Sequence, residues 1–318
     1  MGKADGSSGN VGGRKGDRVN GKKIVITGAT GQVGLPVATS LAKENEVWAA
    51  ARFSDQKVRA RLEEAGVHCA VADLGSGDLS TVPTDPDYVL HFAVSRSNSF
   101  DKDITDNSEG TALLMTHCKA AKAFLHCSST SVYQEKGHDP IAETDPLGDN
   151  HRVMFPTYSI VKIATEAVVR SYARTLNLPT VIARLNVPYG DNGGWPLWQL
   201  LMMQNDTPIP VHTDAPTIYN LIHDDDILAF VPKLLDLATV PAPIINLGGD
   251  ERVSVEEWCT YMGELTGIQP KFAPTDKTLE SVSTDNTKRT ELLGPTTVHW
   301  KDGLRRMIAA QQPHLLKS

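Results

Sequence analysis

The sequence predicts an α/β protein, a doubly wound parallel sheet with a smaller mixed C-terminal region. Three observations predict it. Short apolar or β-branched runs alternate with helix-period segments as far as Val187. A glycine-rich turn joins the first run to the first helix. After Val187 the alternation stops, and Pro, Gly, Asn and Trp become frequent. Strands separated by helices imply βαβ units and a parallel sheet.

The first run, Ile24–Thr27, ends in Gly28, and Val33, Val37 and Leu41 space a helix over Gln32–Lys43. Glu46–Ala51 reads as the second strand and Arg59–Ala65 as a charged helix. Val67–Val71 and Tyr88–Val94 are the third and fourth strands. Leu113, Leu114, Cys118 and Ala121 recur about one turn apart and predict a long helix over Asn107–Ala123. Phe124–Cys127 is the fifth strand, Thr157–Leu176 a second long helix, and Thr180–Leu185 the sixth strand. These strands are short and apolar without alternation, as in a sheet covered on both faces. Residues 188–220 are expected to hold few regular elements. Helical pattern returns at Asp224–Leu237, and Ile244–Leu247 reads as a strand. Ser254, with Glu257 three residues on, is a capping-box start for a helix reaching Leu265. The expected organisation is a disordered arm over 1–20, a dinucleotide-binding domain over 21–187, and a mainly substrate-binding region over 188–318. Segments around 221–250 are expected to return to the first domain.

Composition bounds the partners. The chain has 318 residues, 31 Lys and Arg against 38 Asp and Glu, and a net charge of −7. A nucleic-acid partner would need a basic face, so none is expected. No apolar run approaches the ~20 residues of a membrane span, so no membrane partner is expected either. Cysteines 69, 118, 127 and 259 fit no metal spacing and no CxxC pattern. They read as reduced thiols of a cytoplasmic protein, and no metal site is expected.

Thr27-Gly28-Ala29-Thr30-Gly31-Gln32-Val33-Gly34 places three glycines between strand and helix. The first permits a tight turn, the second lets a pyrophosphate approach the backbone, and the third lets helix and strand pack closely. The helix N-terminus then offers free N–H groups to the anion. This is a dinucleotide site on a Rossmann-type sheet. An acidic residue ending the second strand would bond a ribose 2′-hydroxyl and signal NAD. The sequence instead has Ala51-Arg52-Phe53-Ser54, and Arg52 can pair a 2′-phosphate. NADP is therefore the expected cofactor, with NAD as the alternative.

Tyr158 and Lys162 stand four apart near a helix start, hence on one face. A phenol is a poor base near neutrality, and a neighbouring ammonium favours its ionised form. Such a pair can exchange a proton with a carbinol or carbonyl while hydride moves. Ser128, Ser129, Thr130 and Ser131 follow the fifth strand, where ligands bind in open α/β sheets.

In sequence order these motifs resemble the extended short-chain dehydrogenase/reductase family, the NAD-dependent epimerase/dehydratase group. Further matches are Asp73-Leu74, His91-Phe92-Ala93, Asn107–Thr111, Arg184–Gly190 and His223–Ile227. The resemblance implies an enzyme in which Ser129 is the catalytic hydroxyl, Tyr158 the general acid/base, Lys162 its electrostatic partner and a cofactor contact, and Asn107 the structural and catalytic asparagine. It implies a pyrophosphate loop of Gly28, Gly31, Gln32, Val33 and Gly34, with adenine contacts at Asp73 and Leu74 and a cofactor loop at Ala93. It makes His91 and His223 structural. It also implies a homodimer through helices at 107–123 and 157–177.

Two departures narrow the reading. Thr130 and Ser131 stand where sugar dehydratases of the family carry an Asp-Glu pair, so dehydration is not expected. Tyr219 stands where nucleotide-sugar enzymes hold a cation for the diphosphate. With Trp195 nearby, a small, partly apolar substrate is expected, bound by Ser129, Thr130, Asn186, Trp195 and Tyr219. The leading expectation is NADP(H)-dependent interconversion of a secondary alcohol and a ketone or aldehyde. An NAD-dependent sugar or nucleotide-sugar epimerase is the alternative, and a non-catalytic dinucleotide sensor a third reading.

Overall fold

The computed structural model describes residues 19–317. Of the expected arm, all but residues 19 and 20 lie outside the described residues. The chain begins with β1 (Lys23–Thr27), α1 (Gly34–Leu41), β2 (Glu46–Ala51), α2 (Gln56–Glu64), β3 (His68–Val71) and β4 (Tyr88–His91). Next come α3 (Phe100–Ile104), a π-helical turn (Thr105–Glu109), α4 (Gly110–His117), β5 (Ala123–Ser129), α5 (Tyr158–Leu176) and β6 (Thr180–Leu185). The later part holds β7 (Val187–Gly190), β8 (Gly193–Gly194), α6 (Trp195–Gln204), β9 (Ile209–His212), β10 (Ile218–Tyr219) and β11 (Leu221–His223). It ends with α7 (Asp224–Asp236), β12 (Ile244–Leu247), β13 (Val253–Ser254), α8 (Val255–Thr266), β14 (Phe272–Thr275), α9 (Thr287–Leu293) and α10 (Trp300–Gln311).

Seven strands form one parallel sheet in the order β12-β6-β5-β4-β1-β2-β3. Successive side chains of a strand point to opposite faces, and the sequence fills both with apolar groups. Ile24 and Ile26 meet Val37, Phe230 and Val231 on one face. Val25 and Val89 meet Leu114, Met115 and Val169 on the other. All seven residues of β5 are buried, which explains why its sequence shows no polar alternation. A third core, around Trp258, Met262, Leu200 and Leu304, lies beyond β6 in sequence. β12 then returns to the sheet beside β6.

Chain order reverses beside β1, with β2 on one flank and β4 on the other. Ligands enter such sheets at this switch, outside the C-terminal strand ends.

Two expectations are corrected. The helix expected over Asn107–Ala123 starts earlier, at Phe100, and runs as α3, the π turn and α4 in unbroken succession. It stops at His117, and Ala123 already belongs to β5. Residues 188–220 are not poor in elements: they hold α6 and parts of three small sheets. Pro196 sits in the first turn of α6, where a missing N–H is harmless.

Candidate active site

The cofactor side is built from backbone. Gly28 has φ +70°, and a Cβ there would come within 2.5 Å of Ala93 N, so the loop after β4 lies directly on this glycine. Gly34 packs onto the Gly28 carbonyl, which draws α1 against β1. A Cβ at Gly31 would come within 3.3 Å of Gly28 O, the same oxygen to which the Gly31 N–H donates at 3.0 Å. No side chain caps the α1 N-terminus. Gln32 Nε2 is buried without a partner among the described residues, while the Gln32 backbone carbonyl accepts from Asn192 Nδ2 at 3.0 Å. A turn with no side chain at its three glycines, an α1 N-terminus without a side-chain cap and an orphaned amide suit a pyrophosphate.

The adjoining cleft, about 420 Å³, brings together Gly28, Gly31, Arg52, Asp73, Leu74, Ala93 and Asn107. Val33 and Gly34 sit behind it in the turn. A wider depression of about 640 Å³ lies at the opposite, N-terminal ends of β1 and β2, away from every motif. At the tip of β2, Phe53 adopts φ +49° and buries its ring. Arg52 beside it is exposed and has no ionic partner among the described residues. The nearest carboxylate in sequence, Asp55, caps α2 by accepting from Lys57 N (2.9 Å) and Val58 N (3.4 Å).

The side expected to carry the chemistry is built largely from buried side chains. Tyr158 opens α5, and Lys162 follows one turn on. Lys162 is buried; its Nζ donates to Cys127 O at 2.9 Å and lies 6.0 Å from the Tyr158 ring centroid. Ser129 ends β5, and its Oγ accepts from Ser131 N at 3.1 Å. One further turn along α5, Glu166 takes Arg184 in two bonds (2.9 and 2.7 Å) and accepts from Ser128 Oγ at 2.5 Å. This buried pair holds α5 to β5 and β6.

Asn107 spends both ends of its amide on a loop. Its Oδ1 accepts from Ser95 N at 2.9 Å, and its Nδ2 donates to Ser95 O (3.0 Å) and Asp103 O (2.6 Å). Asp103, which the sequence reading missed, is buried and accepts from Ser97 N, Ser97 Oγ, Asn98 N and Thr157 Oγ1. Burial pushes its carboxyl up, but these bonds outweigh that and hold it below the usual carboxylate range. Asp103 thus fixes the loop after β4 to the residue preceding Tyr158. Its position four before Asn107, one helical turn away, was the available signal.

The expected substrate residues divide. Thr130 is buried beside Ser129; its carbonyl accepts from Asn150 Nδ2 (3.0 Å) and its hydroxyl from Asn186 Nδ2 (3.3 Å). Asn186 also donates to Val282 O at 2.7 Å. The structure does not bring Tyr219 to the cleft. It is buried, donates its hydroxyl to Glu280 O at 2.5 Å, and meets Trp195 (5.1 Å) edge-on. Trp195 also packs on Trp258 at 5.6 Å, so both belong to the third core.

The residues between Asn150 and Tyr158 carry no motif, and sequence reasoning missed them. His151 lies with its ring 5.9 Å from that of Tyr158, and its Nδ1 bonds Asn150 Oδ1. Arg96 stacks its guanidinium over Phe155 (5.7 Å) and Tyr158 (5.9 Å). The other histidines serve the fold. His91 pairs with Thr27 Oγ1 (2.6 Å) and Thr111 Oγ1 (2.8 Å), and burial, with the Lys162 charge, pushes it down to about 3. His223 caps α7 by accepting from Asp225 N.

A model of the NAD dependent epimerase/dehydratase family matches residues 24–248. The chain is 26% identical, over 90% of its length, to a trifunctional UDP-glucose 4,6-dehydratase/epimerase/reductase of Arabidopsis thaliana, and spans 47% of that protein's length. It is 23% identical to an uncharacterized UDP-glucose epimerase of Bacillus subtilis (strain 168), covering 90% of this chain and 97% of the relative. Among solved structures, UDP-glucuronic acid 4-epimerase of Bacillus cereus in complex with NAD superposes with a TM-score of 0.78. It is 23% identical and covers 92% of this chain and 99% of that one. Several of the solved neighbours are complexes with NAD, and the expectation of NADP finds no support among them. The chain belongs to the NAD dependent epimerase/dehydratase family, enzymes of the extended short-chain dehydrogenase/reductase type.

Proposed function

We propose that the protein is an epimerase-type enzyme, oxidising and re-reducing one carbinol of a nucleotide sugar with NAD held in the cleft. The observation that carries this is the bond from Lys162 Nζ to Cys127 O near the C-terminal end of β5, with Tyr158 one turn earlier on α5 and Ser129 closing the strand. When bound, the dinucleotide supplies the hydride acceptor and donor. Gly28, Gly31 and Gln32 would hold its pyrophosphate, and Asp73 and Leu74 would take the adenine. Tyr158 takes the carbinol proton and returns it, while Ser129 Oγ donates to the same oxygen. Lys162, its Nζ fixed by Cys127 O, keeps a positive charge beneath the Tyr158 ring. The relatives named above supply the substrate class.

A second reading is NADP(H)-dependent interconversion of a secondary alcohol and a ketone on a smaller substrate. Arg52 at the tip of β2 and the burial of Tyr219 favour it. Fluorescence titration with NADH and NADPH, then turnover of UDP-glucose, UDP-glucuronic acid and simple ketones, separates the two. NADH preference with nucleotide-sugar turnover supports the epimerase; NADPH preference with ketone turnover replaces it. In either case Tyr158→Phe is expected to lower turnover by about 10²- to 10⁴-fold with dinucleotide affinity retained. A variant that stays active removes Tyr158 from the chemistry. The same reading carries a homodimer through α4 and α5, where Leu113 and Ile160 are exposed. Light scattering at the mass of one chain would remove that part.

A further inference from the structure

We propose that His151 reads the substrate: its Nε2 accepts a hydrogen bond from a hydroxyl on the carbon next to the reacting carbinol. The inference rests on the reading above for the identity of that carbinol. Its ground is the loop ahead of α5.

Asn150 is buried and its Nδ2 is committed to Thr130 O at 3.0 Å. Its Oδ1 is therefore an acceptor, and His151 Nδ1 must carry the hydrogen of their bond. That fixes the tautomer and leaves a lone pair on Nε2. Nε2 makes no hydrogen bond among the described residues.

The ring is held on two sides. Its plane lies 35° from that of Tyr158, and Phe155 lies 6.2 Å from it. The imidazole is thus packed beside Tyr158 and tied through Asn150 to Thr130, the neighbour of Ser129. Charged and titratable groups around it are Tyr158 and Lys162 on α5, Arg96 after β4, and Asp149 on its own loop. Burial pushes the imidazole down to about 4. It therefore stays a neutral acceptor across the neutral range, poorly suited to act as a base. His151 is half-buried, so a substrate seated against Tyr158 would cover Nε2, and an analogue lacking the donor would then leave that acceptor unpaired.

The test has two arms. In ¹⁵N-histidine-labelled protein, long-range ¹H–¹⁵N spectra are expected to show His151 neutral, with hydrogen on Nδ1, from pH 5.5 to 8 (values well above about 4, where an imidazole so placed would charge). Hydrogen on Nε2, or a charged ring at pH 7, overturns the proposal whatever the substrate is. In the second arm, UDP-glucose is compared with UDP-3-deoxy-3-fluoroglucose, which keeps the shape and loses the donor. The wild type is expected to favour UDP-glucose by about 10²-fold or more in kcat/KM. His151→Phe, which keeps the ring, is expected to bring the ratio to near unity. His151→Gln, which can place an amide oxygen where Nε2 stood, is expected to restore part of it. Undiminished discrimination in His151→Phe overturns the proposal. If UDP-glucose is neither bound nor turned over, the nucleotide-sugar reading fails, and the tautomer measurement decides the lone pair on its own.

Discussion

The two sides of the cleft are built from different materials. On the cofactor side, the turn after β1 depends on atoms that are absent: no Cβ at Gly28, where Ala93 lies, and none at Gly34, where the Gly28 carbonyl lies. On the catalytic side, position depends on side chains that are present and bonded: Asp103, Asn107, Asn150, Lys162 and Glu166. The first kind of site fails when an atom is added. The second fails when a bond is removed.

Gly28→Ala is the sharpest way to break the contrast. A methyl group there meets backbone at 2.5 Å in a left-handed conformation. It is expected to destabilise the fold by roughly 3 kcal/mol and to abolish dinucleotide binding. Thermal denaturation and fluorescence titration measure the two effects. Binding as tight as the parent's would mean the turn is not the pyrophosphate site.

Asp103→Asn removes a charge and not a shape. One amide group cannot accept all four of the donors that Asp103 serves. A loss of about 1–3 kcal/mol in stability is expected. It should be accompanied by a fall in kcat, with dinucleotide affinity less affected. Because the carboxyl lies below its ordinary value, its contribution is present above about pH 4 and is lost as the pH falls. The difference between variant and parent should therefore shrink in acid.

Asp224 is the reverse case, and it sharpens the rule. It is as buried as Asp103, yet both carboxylate oxygens lack partners among the described residues. Burial, with Asp225 and Asp191 nearby, pushes it up to about 8. The folded chain keeps a proton that the unfolded chain releases near pH 4. Its stabilising contribution is whole in acid and is lost as pH rises toward 8. Asp224→Asn stays neutral and is expected to be more stable than the parent at pH 8, by roughly 1–2 kcal/mol, and nearly equal at pH 4. Denaturant titrations at the two pH values would show it. A variant weaker at pH 8 would place an unseen donor on Asp224.

The same contrast governs what the sequence discloses. β2, β6 and β12 stand where their apolar runs put them, at Glu46–Ala51, Thr180–Leu185 and Ile244–Leu247. The glycine turn is legible because its spacing is local and each glycine answers a steric demand. α6 was hidden for a physical reason: Trp195, Leu197, Trp198, Leu200, Leu201, Met202 and Met203 give it apolar residues on nearly every side, so no helical period stands out. Asp103 and Asn150 were hidden because decisive partners are remote. Asp103 meets Thr157 across 54 positions, and Asn150 meets Thr130 across 20. Tyr219 misled for the converse reason: a position in a motif says nothing about which way a ring turns, and this one turns into the third core.

The return of β12 to the sheet limits how the molecule can be dissected. β6 is buried at all six residues, and its outer edge is paired by a strand sixty positions downstream. A fragment ending near Val187 would contain every cofactor motif and still present that edge unpaired. Bare apolar edges recruit strands from other chains. Expression of the nucleotide-binding half alone is therefore expected to yield aggregate, and a soluble minimal version must keep the chain through Leu247.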